Sequence, residues 1–350
     1  MKKIIWIIVA VMVMTGSLSA CSNKTENNND TKKIQIVTTI FPEYDWVKNI
    51  AGDKADQIDL TLLADNGVDL HSYQPSIDDI LKISSCDMFI YVGGESDKWV
   101  DDALAQATNK DMIVINLLDV LGDKVKNEEI VEGMEHEHEH DHEHEDDDHD
   151  HDEDHDDDHH GHDEDHDHEH EKELDEHVWL SLKNAMLICD KITESLKAID
   201  PSNSDHYQDN ANGYKGKLSI LDAEYNAAVK EASVKTLLFG DRFPFRYMTD
   251  DYGLSYYAAF TGCSAETEAS FETVIFLAGK VDELGLKSIL TIEGSDKKIA
   301  ETIKNSTNTK DQKILTLNSM QGITSNDIEG GVTYLSVMTD NLNILKDALN

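Results

Sequence analysis

Positive charge is scarce in this chain. Thirty Lys and Arg stand against 71 Asp and Glu in 350 residues, a formal charge of −41. That balance excludes nucleic acid as a partner. Cysteine is nearly absent, with Cys21, Cys86, Cys189 and Cys263 the full set. Beyond Cys21 an odd number remains, so there is no disulfide framework, and these three read as small buried residues. Neither a glycine-rich phosphate loop nor a Gly-x-Ser-x-Gly elbow occurs, which removes two common enzyme signatures. Long apolar runs are missing too. The one at residues 4–14 is too short for a comfortable membrane span.

That run lies inside a targeting segment, residues 1–21. Lys2 and Lys3 give it a basic start, and Leu18-Ser-Ala-Cys21 closes it. Ending on Cys resembles the bacterial lipoprotein signal, with Cys21 the lipidated residue. Residues 22–33 are Asn-rich and polar, as a flexible tether would be.

What the chain has in excess is histidine in one place. Residues 135–171 hold 14 of the 17 histidines and 22 acids, with no apolar side chain, leaving −19 for the rest of the chain. The histidines are His136, His138, His140, His142, His144, His149, His151, His155, His159, His160, His162, His166, His168 and His170. Neutral imidazole is the commonest ligand for transition metals, and the acids concentrate cations. A tract with nothing apolar to bury reads as a mobile loop, here a low-affinity metal collector. His136-Glu-His-Glu-His140 spells the H-E-x-x-H pattern of zinc proteases. That motif needs an apolar-faced helix, so the match is compositional and an enzyme is not expected.

Elsewhere, short apolar strands alternate with helical patterns. Strands are expected at 34–40, 88–92, 112–117, 236–239, 256–260, 288–292 and 313–317. Helices are expected at 42–51, 76–85, 97–107, 178–199, 205–232, 267–284, 296–303 and 332–349. This pattern predicts an α/β chain with two Rossmann-like lobes of mainly parallel sheet. Residues 34–203 form the first lobe, 204–232 a long rigid connecting helix, and 233–350 the second lobe. The cleft between the lobes is the natural ligand site.

Three histidines lie outside the tract, His71, His177 and His206. His71 stands in Gly67-Val-Asp-Leu-His-Ser-Tyr-Gln-Pro75, and His177 in Asp175-Glu-His-Val-Trp-Leu180. Both precede helices, where loops face such a cleft. Either alone is more often an ordinary hydrogen-bonded histidine than a ligand. Together, and beside the tract, they point to a metal.

These two segments resemble the metal-binding segments of the solute-binding lipoproteins of zinc and manganese ABC transporters. The His-rich tract before the second histidine resembles the zinc branch of that family. The resemblance implies a metal site in the cleft with His71 and His177 as ligands. It also implies zinc as the bound ion, with manganese or another divalent metal as the alternative. The partner it implies is an ABC permease, and the location is extracytoplasmic, on a membrane through the Cys21 lipid, as a monomer. A surface metal buffer or adhesin on the same fold is the alternative role. The chain departs from the family at the third ligand. The family's histidine position reads Gly240 in Phe239-Gly-Asp-Arg-Phe-Pro-Phe245, and a carboxylate position reads Asn318. Asp241 is the candidate replacement, with an N-cap or ion pair as its competing role, and Glu293 is a weaker candidate. Cys263 is a further cleft candidate, with a buried thiol as its competing role. Two imidazoles and a carboxylate suit zinc better than manganese.

Overall fold

The computed structural model describes residues 33–134, 173–262 and 268–350. The tether, Cys21, the His-rich tract and Cys263 lie outside the described residues. Residues 34–350 form one compact unit.

The first sheet contains β1 (Ile34–Thr38), β2 (Ile58–Leu62), β3 (Met88–Tyr91) and β4 (Ile113–Asn116). Its order is β2-β1-β3-β4, and every pair is parallel. The helices of this half are α1 (Phe41–Ala51), α2 (Ile77–Ser85), α3 (Trp99–Ala105) and α4 (Leu117–Leu121). Then follow α5 (Leu182–Ile199) and α6 (Ser204–Glu231). The second sheet has β5 (Thr236–Phe243), β6 (Ser255–Thr261), β7 (Ser288–Ile292) and β8 (Lys313–Leu317). Its order, β6-β5-β7-β8, repeats the first with all pairs parallel. Around it lie α7 (Arg246–Tyr252), α8 (Phe271–Leu284), α9 (Lys298–Ser306), α10 (Ser325–Glu329) and α11 (Tyr334–Ala348). The α/β fold with two parallel-sheet lobes is as expected.

Three differences from the expected elements have physical causes. Strand β2 was not expected, because Ile58-Asp-Leu-Thr-Leu62 is a short run with only three apolar residues, although its alternation is that of a half-buried strand. It is an edge strand, where alternation with one wet face is tolerated. The expected helix 178–199 is broken at Ser181. A 3-10 turn covers Val178–Leu180, and the Ser181 hydroxyl then caps α5 by accepting from the Asn184 N–H. The expected strand 236–239 runs on to Phe243 through a shift of register between Phe239 and Arg242. Phe239 faces Ala258 and Arg242 faces Phe260, so β5 carries one extra residue there.

One core cluster runs through both halves, from Trp46 and Ile90 to Phe239 and Leu342. Polar ties reinforce it. The Trp179 indole N–H donates to the Ser319 carbonyl at 2.8 Å, and the Tyr334 hydroxyl donates to the Trp179 carbonyl at 2.7 Å. Both aromatic side chains are fully buried. Truncating either would cost about 3–5 kcal/mol, the usual cost of emptying a large aromatic site.

Candidate metal centre

His71 is presented by a tight loop between β2 and α2. Asp69 opens a 3-10 turn at Leu70–Ser72, its Oδ1 accepting from the His71 N–H at 3.0 Å. Leu70 is buried and anchors the turn. Two bonds tie the loop to the second lobe. The Ser325 N–H donates to the Asp65 carbonyl at 2.8 Å, and Asn66 bridges Thr324. His177 is set in the chain that leads into α5. Asp175 Oδ1 accepts from both the His177 N–H, at 2.9 Å, and the ring Nδ1, at 3.0 Å.

The two rings meet edge-on, with Nε2 of His71 3.2 Å from Nε2 of His177. What holds the opposite nitrogens decides what faces what. Asp175 can only accept, so Nδ1 of His177 carries the proton. Nδ1 of His71 lies 2.7 Å from the Ser96 hydroxyl and 3.5 Å from Glu176 Oε2. A proton on that nitrogen is donated to the Ser96 hydroxyl and faces the Glu176 carboxylate. This assignment, made from the hydrogen-bond network, leaves both Nε2 atoms with lone pairs aimed at one another. Such an arrangement repels itself unless a cation or a proton lies between them.

The electrostatics of the pair are lopsided. Burial and the nearby His177 charge push His71 down to about 4, with Arg242 adding to the effect against the pull of Asp69. His177 is also fully buried, which by itself would lower its pKa. The Asp175 bond and the surrounding carboxylates outweigh burial and raise it. Of the two rings, His177 is therefore the one favoured to take an additional proton. Beneath the histidines lies a layer of buried acids. Glu176 accepts from the Ser96 N–H at 2.9 Å, and Asp97 from the Gly93 N–H at 2.9 Å. Glu43 accepts from the Thr39 N–H at 2.8 Å. Burial raises all three carboxyls, Asp97 to about 7.

The second lobe faces the pair with different chemistry. The structure does not bring Asp241 or Glu293 to the histidines. Asp241 accepts from the Arg242 N–H at 2.9 Å and the Ile292 N–H at 3.4 Å. Glu293 accepts from the Ser319 N–H at 2.7 Å, the Ser319 hydroxyl at 2.6 Å and the Gln321 N–H at 3.1 Å. Among the described residues, no three His, Cys, Asp or Glu side chains stand in a metal-holding group. Gly240 is packed on α9, where an added Cβ would lie 2.6 Å from the Ala300 Cα. No histidine fits there. Asn318 caps a turn, accepting from the Met320 N–H at 2.7 Å.

The residue that reaches across is Arg242. Its guanidinium donates to Asp69 Oδ2 at 2.9 Å, while Asp69 Oδ1 lies 4.0 Å from Nε2 of His71. Sequence reasoning put the family's histidine position at Gly240 with Asp241 as its replacement and passed over Arg242; nothing in the side-chain pattern marks the extra residue of β5. The roles of Asp69 and Asp175 were signalled, since each lies two residues before its histidine. A cavity of about 850 Å³ lies between the His71 loop and the second lobe, with Asp69, Asp241, Arg242 and Glu293 in its wall; neither His71 nor His177 lines it. His206 lies elsewhere, bound to Asp53 and the Ala51 carbonyl. Cys86 and Cys189 are buried free thiols, as expected.

Comparison with known proteins places this arrangement. The family described as zinc-uptake complex component A, periplasmic, matches residues 36–348. A zinc-binding protein of Streptococcus pyogenes, AdcA, is 29% identical over 320 residues, 90% of this chain. The chain spans only 56% of that relative's length. A high-affinity zinc uptake system protein of Bacillus subtilis, ZnuA, is 28% identical over 345 residues, covering 99% of this chain and 97% of its own. The Zn(II)-bound ZnuA-like domain of Streptococcus pneumoniae AdcA superposes with a TM-score of 0.65 at 26% identity. That match covers 91% of this chain and 99% of the domain. These are names of metal-binding transport proteins rather than of enzymes. The chain belongs to the family of the periplasmic zinc-uptake complex component A.

Proposed function

We propose that this chain is an extracytoplasmic zinc receptor that holds the ion on His71 and His177 and hands it to the permease of an ABC importer. One observation carries the reading, the pair of Nε2 atoms 3.2 Å apart with their protons drawn to the far side of each ring. Zinc–imidazole bonds are about 2.0–2.1 Å long. Two nitrogens at this separation then subtend an angle of about 100° at the ion, close to the roughly 109° of a tetrahedron. The lone pairs thus need no rearrangement to take zinc. Asp175, Ser96 and Glu176 fix the rings, and the Asp175 bond raises the basicity of His177, as outer partners of metal-bound histidine do. The chemistry is binding and release, so no catalytic residue is assigned.

Composition supports two further parts of the reading. Residues 135–171 raise the local zinc concentration next to His177, whose segment they precede by a few residues. Leu18-Ser-Ala-Cys21 supports anchoring through a lipid on Cys21, as a monomer. Competition titration with a chromophoric zinc chelator tests the centre. One tight site is expected, lost in the His71→Ala/His177→Ala double variant and kept when 135–171 is deleted. Tight binding that survives the double variant but not the deletion would move the site to the tract.

A further inference from the structure

The nitrogens that face the ion's place are shut away from solvent. The His177 side chain is wholly buried and that of His71 is 14% exposed, so an ion reaches the gap between them only when something moves. Around His177 the packing is tight. A Cβ added to Gly262 would stand 2.9 Å from the ring Cε1, and the Trp179 ring centre lies 5.3 Å away. The hollow beside Asp175 and Gly262 holds about 10 Å³, scarcely one water. Ser96 and Glu176 close the far side of the His71 ring.

The large cavity stops one residue short of the pair. It reaches Asp69, Ser72 and Arg242 but neither histidine. Asp69 Oδ1 lies 4.0 Å from Nε2 of His71, and Asp69 Oδ2 accepts from the Arg242 guanidinium at 2.9 Å. This ion pair is the layer between the cavity and the nitrogens. Its partners are fixed unequally. Asp69 is held by the turn it caps, through the His71 N–H. Arg242 is a long side chain near the end of β5, in the wall of a cavity of about 850 Å³ that gives it room to swing.

Resting on the reading of His71 and His177 as the ion's holders, we infer that Arg242 is the gate of the site, and that zinc passes between cavity and histidines when the guanidinium swings off Asp69. Arg242 acts through Asp69, so it is a positioning residue and lends the ion no donor. A gate slows entry and exit alike. A merely repulsive charge near the ion would slow entry and speed exit.

The test is stopped-flow release of zinc from the full chain, loaded with one equivalent, into excess chromophoric chelator. The phase missing from His71→Ala/His177→Ala reports the pair. Competition titration gives the Kd, and the two together give the rate of entry. Arg242→Gln should release zinc about tenfold faster, the worth of one charge-assisted hydrogen bond. Entry should quicken as well, with the Kd moving less than either rate. Arg242→Lys keeps a cation for Asp69 and should fall between. Salt screens a pair whose side chains are about a quarter exposed. Release should therefore quicken with salt in the parent and hardly at all in Arg242→Gln. The parent's salt response needs no variant, so it decides the matter even where Arg242→Gln folds poorly. Release that ignores salt in the parent, or is unchanged or slower in Arg242→Gln with one zinc still held at the pair, would overturn the gate and leave the receptor reading standing. Absence of any phase that depends on His71 and His177 would remove the receptor reading and this inference together.

Discussion

The two lobes are built alike and equipped differently. Each has a four-stranded parallel sheet in the same order. The first lobe brings two imidazoles there and backs them with Asp175, Ser96 and Glu176. The second brings an arginine, and its carboxylates are spent on the backbone of β7 and the loop after β8. A repeated scaffold therefore does not imply a repeated site. The loops decide the chemistry: those of the first lobe bring two imidazoles together, and the second lobe presents a guanidinium to Asp69.

The sharpest way to break that division is to compare one residue from each lobe. His177→Ala should weaken zinc binding by well over the roughly 100-fold that loss of an outer partner costs. Asp241→Asn should leave it within about threefold, less than 1 kcal/mol. Competition titration of both variants decides it. A large loss in Asp241→Asn would return that carboxylate to the ligand set and make the lobes equal contributors.

The buried acids of the first lobe give the next largest effect. Burial pushes Asp97 up to about 7, against about 3.9 in an unfolded chain. Between those values the folded chain holds a proton that the unfolded chain has lost. Stability therefore falls as pH rises from about 4 to about 7, and is flat above, by on the order of 2–4 kcal/mol. Asp97→Asn keeps an acceptor for the Gly93 N–H and removes the titration. Its denaturant midpoint at pH 8 should exceed that of the parent, and the two should converge near pH 4. Asp45, raised to about 6 by burial, leaves a smaller slope of the same sign in both proteins.

Asp175→Asn tests whether the ring orientation matters as much as the ring. The amide cannot hold the Nδ1 proton of His177 as firmly, so zinc affinity should fall about 10–100-fold, with the fold intact by circular dichroism. An unchanged affinity would mean that burial alone positions His177.

Much of this was legible in the sequence, for reasons that differ by residue. Buried parallel strands such as Ser288–Ile292 are built around Ile and Leu and announce themselves. His71 and His177 stood out because only one other histidine, His206, lies outside the tract, and each has an Asp two residues before it. Three things were hidden. Edge strand β2 is only five residues long and two of them are polar, so its alternation is too brief to stand out. The turn at Ser181 looks helical because Val178–Leu180 continue the apolar pattern. Above all, the cleft-facing residue of β5 depends on a single extra residue between Phe239 and Arg242, which no side-chain pattern marks.

Gly240 is where that hidden residue can be tested, with the smallest of the expected effects. A ligand position would accept a larger side chain pointing into open space. In the fold, the hydrogen that a Cβ would replace points at the backbone of α9, 2.6 Å from Ala300 Cα and 2.8 Å from Ala300 N. Backbone atoms in a helix cannot swing aside as a flexible side chain can. Gly240→Ala should therefore cost about 1–3 kcal/mol through overpacking. The cost should appear as a lower denaturant midpoint, with zinc stoichiometry at the histidine pair unchanged. If Gly240→Ala were neutral and Gly240→His bound zinc more tightly, the strand would run without its extra residue. Arg242 would then turn away from the cleft, and the second lobe would have regained a ligand position like those of the first.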